Sequence, residues 1–266
     1  MKWREFWFEF WKLIKKNELL ALGGQVTYYL ILSFFPLMLF LFTLAGFADL
    51  SSEQIFNDLK YLFPPDIYQL VENIVYEIFA TRKPSLLSIG MIGTLWASMN
   101  GIKALIRGMI KAYDLKEKRS FISLTLTSAA ALVIVSFTLI LSIIVQFFGE
   151  KHGFLRTGFR FPFLFVFLVF AFITLNQIAT KAKYTPRTVL PGSVLSAGGW
   201  LFISFAFSIY FKHFNSFTLV YGSIGGIMIL LLWLYWSCVT ILLGCAFNAV
   251  LIKRRNYNLG KSKVAK

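Results

Sequence analysis

Residues 214–252 read FNSFTLVYGSIGGIMILLLWLYWSCVTILLGCAFNAVLI, a run of 39 residues without a charged side chain. As a helix this run would be about 58 Å long, whereas the hydrocarbon core of a bilayer is about 30 Å thick. The run can therefore cross a membrane, and one end of it must lie outside the hydrocarbon. It decides the fold class, because an ordinary soluble domain does not contain so long an apolar segment.

Five more apolar stretches precede this run, and none of them contains Asp or Glu. Of the 266 residues, 58% are apolar, 18% are aromatic and 15% are charged, and the mean hydropathy is +0.69. The sequence predicts an all-α, polytopic membrane protein with one six-helix domain over residues 1–252 and a basic cytoplasmic tail at 253–266. The predicted spans are 26–48, 86–110, 121–148, 161–179, 189–211 and a last one ending near residue 252.

The basic residues are distributed unevenly among the predicted loops. Segments 1–25, 111–120, 180–188 and 253–266 carry 18 of the 27 Lys and Arg residues, while the alternate segments carry seven. By the positive-inside rule, both termini are expected in the cytoplasm. We interpret the net charge of +15 as a property of segments that flank spans, so anionic membrane lipids are the expected partners and nucleic acid is not.

Two segments outside the spans also have helical patterns. Residues 1–16 alternate aromatic and basic side chains at helical spacing, which favours a helix lying in the membrane interface. Packing of this helix on the bundle is the alternative. Residues 49–85 hold six of the twelve acidic residues and predict a small helical insertion outside the cytoplasm.

The second predicted span contains the candidate binding residues. Asn100, Lys103, Arg107 and Lys111 step by three or four positions and so form one stripe along a helix. Cations in a low-dielectric setting need an anion, a carbonyl group or water. The side chains could snorkel to the interface, with Asp114 partly neutralising Arg107. The alternative is a site for phosphate or another anion or lipid, since Arg offers a planar fork of donors.

Other residues in the spans predict helix breaks and packing. Pro36 is expected to kink the first span, and Gly222, Gly225 and Gly226 are candidates for a break before the last one, either as a re-entrant segment or as a plain external loop. Asn176 and Asn248 are expected to form interhelical hydrogen bonds. Cys238 and Cys245 lack a metal-ligand pattern and are expected to be free packing residues.

Several functional classes are disfavoured by the residues present. The spans have no carboxylate for a proton relay, and no Gly-rich phosphate loop followed by Lys and Ser or Thr occurs. The acidic residues of the predicted cytoplasmic segments lack the spacing of a metal site. We therefore expect a protein that is not an enzyme and has no cofactor, no metal site and no catalytic residue.

Four stretches carry a resemblance to a known family. They are ALGGQVTYYLILSFFPLMLFLFTLAG (21–46), GTLWASMNGIKALIRGMIKAY (93–113), LPGSVLSAGGWLFISFAFSIYFKHF (190–214) and YGSIGGIMILLLWLYWSCVTILLGCAFNA (221–249). The chain resembles the YihY/BrkB family, which implies a six-span protein of the bacterial cytoplasmic (inner) membrane. The family's names refer to virulence, serum resistance and ribonuclease BN. Where relatives have Ser-Arg-Gly in the second span, this chain has Met99-Asn100-Gly101, so no catalytic residue is carried over.

The leading hypothesis is a protein that binds or translocates an anionic amphiphile or lipid at the stripe of the second span. The alternative is an envelope scaffold that contacts a protein partner through its amphipathic N-terminus and outer insertion. A membrane-bound ribonuclease is the third hypothesis. The glycine patterns are equally compatible with a homo-oligomer and with internal packing.

Overall fold

The structure is a computed structural model that describes residues 3–47, 84–117, 119–151, 160–213 and 216–264. Seven helices and no strand occur within these residues. In chain order, they are α1 (Trp3–Lys16), α2 (Leu19–Phe47), α3 (Pro84–Ala112), α4 (Phe121–Lys151), α5 (Arg160–Ala179), α6 (Pro186–His213) and α7 (Ser216–Val264).

The all-α class is confirmed for the described residues, and each predicted span falls on a helix. Three helical segments there are long and apolar enough to cross a membrane: Pro162–Ala179, Pro186–Tyr210 and Met228–Arg255. Leu19–Ser33 and Phe121–Val135 are shorter apolar helical segments. The count of six spans therefore stays a prediction. The insertion predicted at 49–85 lies almost wholly outside the described residues.

The chain divides into two compact units, and four helices contribute to both. The first unit contains residues 1–26, 102–203 and 236–266, and the second contains residues 27–101 and 204–235. The one-domain prediction is not tested by this division. The two units are described separately below.

In the first unit, α6 and α7 cross with their backbones in close approach. A Cβ atom on Gly192 would overlap the carbonyl oxygen of Gly244 and the side chain of Asn248, and one on Gly244 would overlap Ser196 Oγ. Two turns beyond Gly192, a Cβ on Gly199 would lie 3.0 Å from Thr240 Cγ2. Small residues at four-residue spacing allow this kind of crossing in membrane helices. Also in this unit, α4 packs against α5.

The helix α1 packs on the protein, which is the alternative that the sequence left open, and its position in the membrane interface stays a prediction. Phe6, Phe10 and Ile14 are buried, and the rings of Phe6 and Phe10 meet Phe247 of α7 edge-on at 5.2 and 6.2 Å. The neighbouring stripe of the helix is exposed and consists of Trp3, Trp7 and Trp11. The broad apolar face predicted from the spacing is thus two adjacent rows, one packed on the protein and one free to meet lipid.

In the second unit, α3 packs closely on α2. A Cβ on Gly101 would lie 3.0 Å from Leu30 Cδ2 and 3.7 Å from the carbonyl oxygen of Tyr29, and Ala97, one turn earlier, is buried. The small residues Ala97 and Gly101, four positions apart, therefore form a packing surface on α3. Trp233 Nε1 donates to Ser204 Oγ at 3.3 Å and joins α7 to α6 in this unit.

The prediction of a helix break before the last span is wrong. The helix α7 continues through Gly222, Gly225 and Gly226, so neither a re-entrant break nor a plain loop is found there. Glycine costs a helix only about 1 kcal/mol per residue, whereas each backbone group left without a hydrogen bond in lipid costs several.

The segment predicted as a basic tail also continues α7 as far as Val264. The kink at Pro36 stays a prediction, because side chains of α2 beyond Ser33 lie outside the described set.

We expect Gly192→Ala to lower the free energy of unfolding by about 1 to 3 kcal/mol, because the added methyl group must push apart two backbones. Gly198→Ala is the matched control on the same helix, since a Cβ there meets no atom within 4 Å. Thermal unfolding of both variants in the same detergent measures the difference. Equal melting temperatures for the two variants would contradict the close crossing.

Candidate functional site

Lys103 lies on α3 as the first cation of the predicted stripe. Its side chain is buried, with 8% of the residue exposed, and its Nζ lies 4.7 Å from the centroid of the Phe121 ring at the start of α4. The ammonium group therefore sits over an aromatic face, a contact worth about 0.5 to 2 kcal/mol. Among the described residues it forms no ion pair.

Arg107 and Lys111 extend the stripe toward the end of α3, and both are exposed. The expected neutralisation of Arg107 by Asp114 is not found, because Asp114 pairs with Lys16 of α1 at 2.7 Å. The reason is local: α3 ends at Ala112, and Asp114 adopts a positive φ of 56° in the turn that follows, so Asp114 does not continue the helical spacing of the stripe. Asn100 is half-buried and belongs to the second unit.

A buried polar cluster occupies the centre of the first unit, next to the crossing of α6 and α7. Asn248 of α7 accepts a hydrogen bond from the backbone N–H of Gly192 at 2.7 Å and donates to the carbonyl oxygen of Val189 at 2.8 Å. It also donates to the hydroxyl of Tyr113 at 3.1 Å. Pro191 lies inside α6 at this point and has no backbone N–H to donate. The Asn248 amide bonds to backbone groups on either side of Pro191, the carbonyl oxygen of Val189 and the N–H of Gly192.

Asn176 of α5 completes the cluster. It accepts a hydrogen bond from Tyr113 Oη at 2.5 Å and donates to Ser193 Oγ at 3.2 Å, and the thiol of Cys245 approaches its Oδ1 at 3.5 Å. Burial raises the pKa of Tyr113 far above its ordinary value, so the phenol stays protonated and acts as a donor. The cluster joins α5, α6, α7 and the residue that follows α3.

The sequence predicted part of this cluster. The interhelical hydrogen bonds of Asn176 and Asn248 are confirmed, and Cys238 and Cys245 are buried and form no disulfide, as expected. The role of Tyr113 was missed, because a tyrosine just beyond a span is typical of the membrane interface. The one feature of the sequence that indicated burial of Tyr113 was its position seven residues, or two helical turns, after Ile106 on the buried face of α3.

A cavity of about 500 Å³ lies between α1, the turn after α3, Tyr184 and the end of α7. Two ion pairs flank it: Lys253 with Glu9 at 2.5 Å and Lys16 with Asp114. Tyr184 stacks on Tyr113 at 5.9 Å. All four segments that the charge count placed on one side contribute to the lining, so these segments meet at one end of the first unit.

Within the described part of the chain, no three His, Cys, Asp or Glu side chains come together as metal ligands. The polar groups described above are cations, carboxylates in contact with them, aromatic rings and neutral hydrogen-bonding groups. These groups can bind an anion, and they hold helices together.

Apolar helices long enough to cross a bilayer, joined by a buried polar cluster and bordered by basic turns, define an integral membrane protein. Comparison with known proteins gives the family: the virulence factor BrkB family matches residues 10–266, and the chain belongs to it.

Relatives match along most of their length. The chain is 34% identical over 247 residues to the putative ribonuclease-like protein YfkH of Bacillus subtilis, covering 88% of this chain and 90% of that protein. It is 25% identical to a UPF0761 membrane protein of Psychromonas ingrahamii, covering 91% and 85%. It is 23% identical to the UPF0761 membrane protein NTHI0384 of Haemophilus influenzae, covering 93% and 95%. No solved structure matches the chain.

Tyr113→Phe is expected to lower the free energy of unfolding by about 1 kcal/mol, because the amide groups of Asn176 and Asn248 lose a buried partner. Tyr184→Phe is the control, since it removes a hydroxyl from the other ring of the same stack and that hydroxyl has no hydrogen bond within the described residues. Denaturant unfolding in mixed micelles gives both values. A larger loss in Tyr184→Phe would contradict the role assigned to the cluster.

The attachment of α1 should weaken in acid. The hydrogen bond with Lys253 holds the pKa of Glu9 below its ordinary value of 4.5, so the ion pair stabilises the attached helix above that pH and is lost as the pH falls through the lowered pKa. Because Lys253 is exposed, we expect only about 0.5 kcal/mol. Hydrogen exchange of residues 3–16 should differ between wild type and Glu9→Gln at pH 7, and the difference should shrink as the pH falls through the lowered pKa of Glu9. If the difference in exchange between the two proteins stays constant with pH, the stabilising role of the Glu9–Lys253 ion pair is disproved.

Proposed function

We propose that this protein is a multi-pass protein of the bacterial cytoplasmic membrane that binds an anionic amphiphile or lipid at Lys103, Arg107 and Lys111 of α3. The observation that carries the proposal is Lys103, a buried lysine whose ammonium group has an aromatic ring beside it and no carboxylate paired with it among the described residues. A cation held in this way is most stable when an anion lies close to it.

Arg107 and Lys111 supply further positive charge along the same helix. Neither makes an ion pair or a side-chain hydrogen bond within the described residues, and Asp114, the nearest acidic residue in sequence, is occupied by Lys16. A guanidinium group binds phosphate and carboxylate through two parallel hydrogen bonds. Arg107 is therefore the proposed contact for the headgroup.

The spacing of the three cations suits an amphiphile. From Lys103 to Lys111 the helix rises about 12 Å, while the headgroup region on each side of a bilayer is about 5 to 8 Å deep. Lys103 thus lies deeper than Lys111 by more than one headgroup layer. A ligand with its charged group at Arg107 and an apolar chain beside Phe121 would contact both parts of this surface.

We place both termini in the cytoplasm, and with them the basic end of the first unit. Support comes from the count of basic residues and from the cavity at which the four basic segments meet. The proposed activity is binding, or translocation without a nucleotide motor or an intramembrane proton relay, since the spans contain no carboxylate.

Native mass spectrometry of the detergent-purified protein tests the proposal. In the double variant Lys103→Gln, Arg107→Gln, we expect an anionic lipid that co-purifies with the wild type to fall by about tenfold or more, because two charge-assisted contacts are lost and each 1.4 kcal/mol is a factor of ten. The control is Lys15→Gln, Arg255→Gln, which removes the same residue types from exposed positions.

Equal lipid binding in the wild type and both variants would overturn the proposal and leave snorkelling as the explanation of Lys103 and Arg107. Recovery of a defined envelope protein without selective lipid would favour the scaffold hypothesis. Hydrolysis of RNA by protein purified free of contaminating nucleases would favour the activity that the name of the Bacillus relative suggests.

A further inference from the structure

A second cavity, of about 380 Å³, lies at the basic end of the first unit between the turn before α4 and the turn after α5. Among the described residues, its lining includes four cationic side chains and one carboxylate: Lys116, Arg119, Lys181, Lys183 and Glu117. It shares no residue with the stripe at Lys103, Arg107 and Lys111. Its volume lies in the lower part of the range found for small-molecule sites.

Arg119 is the buried cation of this cavity, since only 2% of its side chain is exposed. Its Nη2 donates to the carbonyl oxygens of Ile178 and Ala179 at 2.6 and 3.1 Å, at the end of α5. These bonds satisfy two carbonyl groups that the end of a helix leaves without a partner and fix the plane of the guanidinium group.

Nη1 of the same guanidinium is buried and has no hydrogen-bond partner among the described residues. The carboxylate of Glu117 does not serve, because its Oε2 is 4.0 Å from Nη1 and its Oε1 accepts a hydrogen bond from the backbone N–H of Arg119 at 2.8 Å. A buried N–H without a protein acceptor takes one from water or from a bound anion.

Three lysines around Arg119 add positive charge that no carboxylate of the described residues pairs with. Lys116, Lys181 and Lys183 are exposed and form no ion pair within the described residues, and Lys183 lies 5.5 Å from the ring of Tyr184. Several ammonium groups around one fixed guanidinium suit an anion with several oxygen atoms, and phosphate accepts from both kinds of donor.

We propose that this cavity binds a phosphate group, with Arg119 as the fixed donor and the three lysines as mobile ones. The candidate span Pro162–Ala179 ends at Ala179, which lines the cavity, so the site lies at the level where lipid headgroups meet water. The phosphate can belong to an anionic lipid or to a free phosphate, and both have the same chemistry at Arg119.

The test uses the full-length protein and the triple variant Lys116→Gln, Lys181→Gln, Lys183→Gln. Arg119 itself is kept, because its Nη2 holds the end of α5 and its loss could unfold the turn. The control triple variant is Lys12→Gln, Lys15→Gln, Arg255→Gln, which changes the charge equally at exposed positions outside this cavity.

Native mass spectrometry with added phosphatidylglycerol, and with phosphatidylcholine for comparison, measures the lipid arm. Thermal unfolding in sodium phosphate and in sodium chloride of equal ionic strength measures the free-phosphate arm. Because the stripe on α3 is intact, we expect the triple variant to keep the phosphatidylglycerol bound there and to lose the second adduct about tenfold relative to the wild type and to the control. If the source is free phosphate, the wild type and control should instead melt about 3 °C or more higher in phosphate than in chloride, and the triple variant should not.

Either selective loss supports the site and identifies the source of the phosphate. The proposal is overturned if the triple variant behaves as the wild type in both arms, or if the control triple variant loses as much as the test variant. Since the stripe at Lys103 and Arg107 is intact in all these proteins, failure here leaves the proposed function untouched. Failure of the double variant on α3 likewise leaves this site untouched.

Discussion

The close approach of α6 and α7 at Gly192 and Gly244 is the constraint on which the first unit depends. Neither position has room for a Cβ, so the two backbones lie near enough for a single side chain to bridge them. Asn248 does this, accepting from the Gly192 N–H and donating to the Val189 carbonyl oxygen. In a membrane the gain from burying apolar side chains is small, and close packing with hydrogen bonds between helices takes its place.

The crossing also determines where the other helices attach. Because Asn248 donates to Tyr113 and Tyr113 donates to Asn176, the residue after α3 and the end of α5 are held at the same level as the bridge. The turns that follow these two helices are those that line the two cavities. The position of Asp114, the residue after Tyr113, therefore follows in part from a network of neutral groups, which keeps its hydrogen bonds whatever the ionic strength.

The sequence predicted those features that depend on one helix at a time. Apolar runs located the helices, and isolated amides within them indicated bonds between helices, as found for Asn176 and Asn248. Features that depend on two segments were missed. Periodicity does not show that the row of Phe6 and Phe10 meets Phe247 while the row of Trp3 stays exposed. The break predicted at Gly222 failed because the cost of open backbone in lipid outweighs the flexibility of glycine.

The cations at the basic end of the first unit fall into two groups: those that pair with a carboxylate and those that do not. Lys16 and Lys253 pair with carboxylates from other segments, so their charge is balanced within the protein and they hold α1 in place. Lys103, Arg107 and Arg119 have no such pairing at hydrogen-bonding distance within the described residues. Leaving a buried cation such as Lys103 without a paired carboxylate lowers stability. Arg107 and Arg119 lie near the ends of apolar helices, where phosphate groups of lipids are the most abundant anions, and this location is the reason to look for the ligand in the membrane itself.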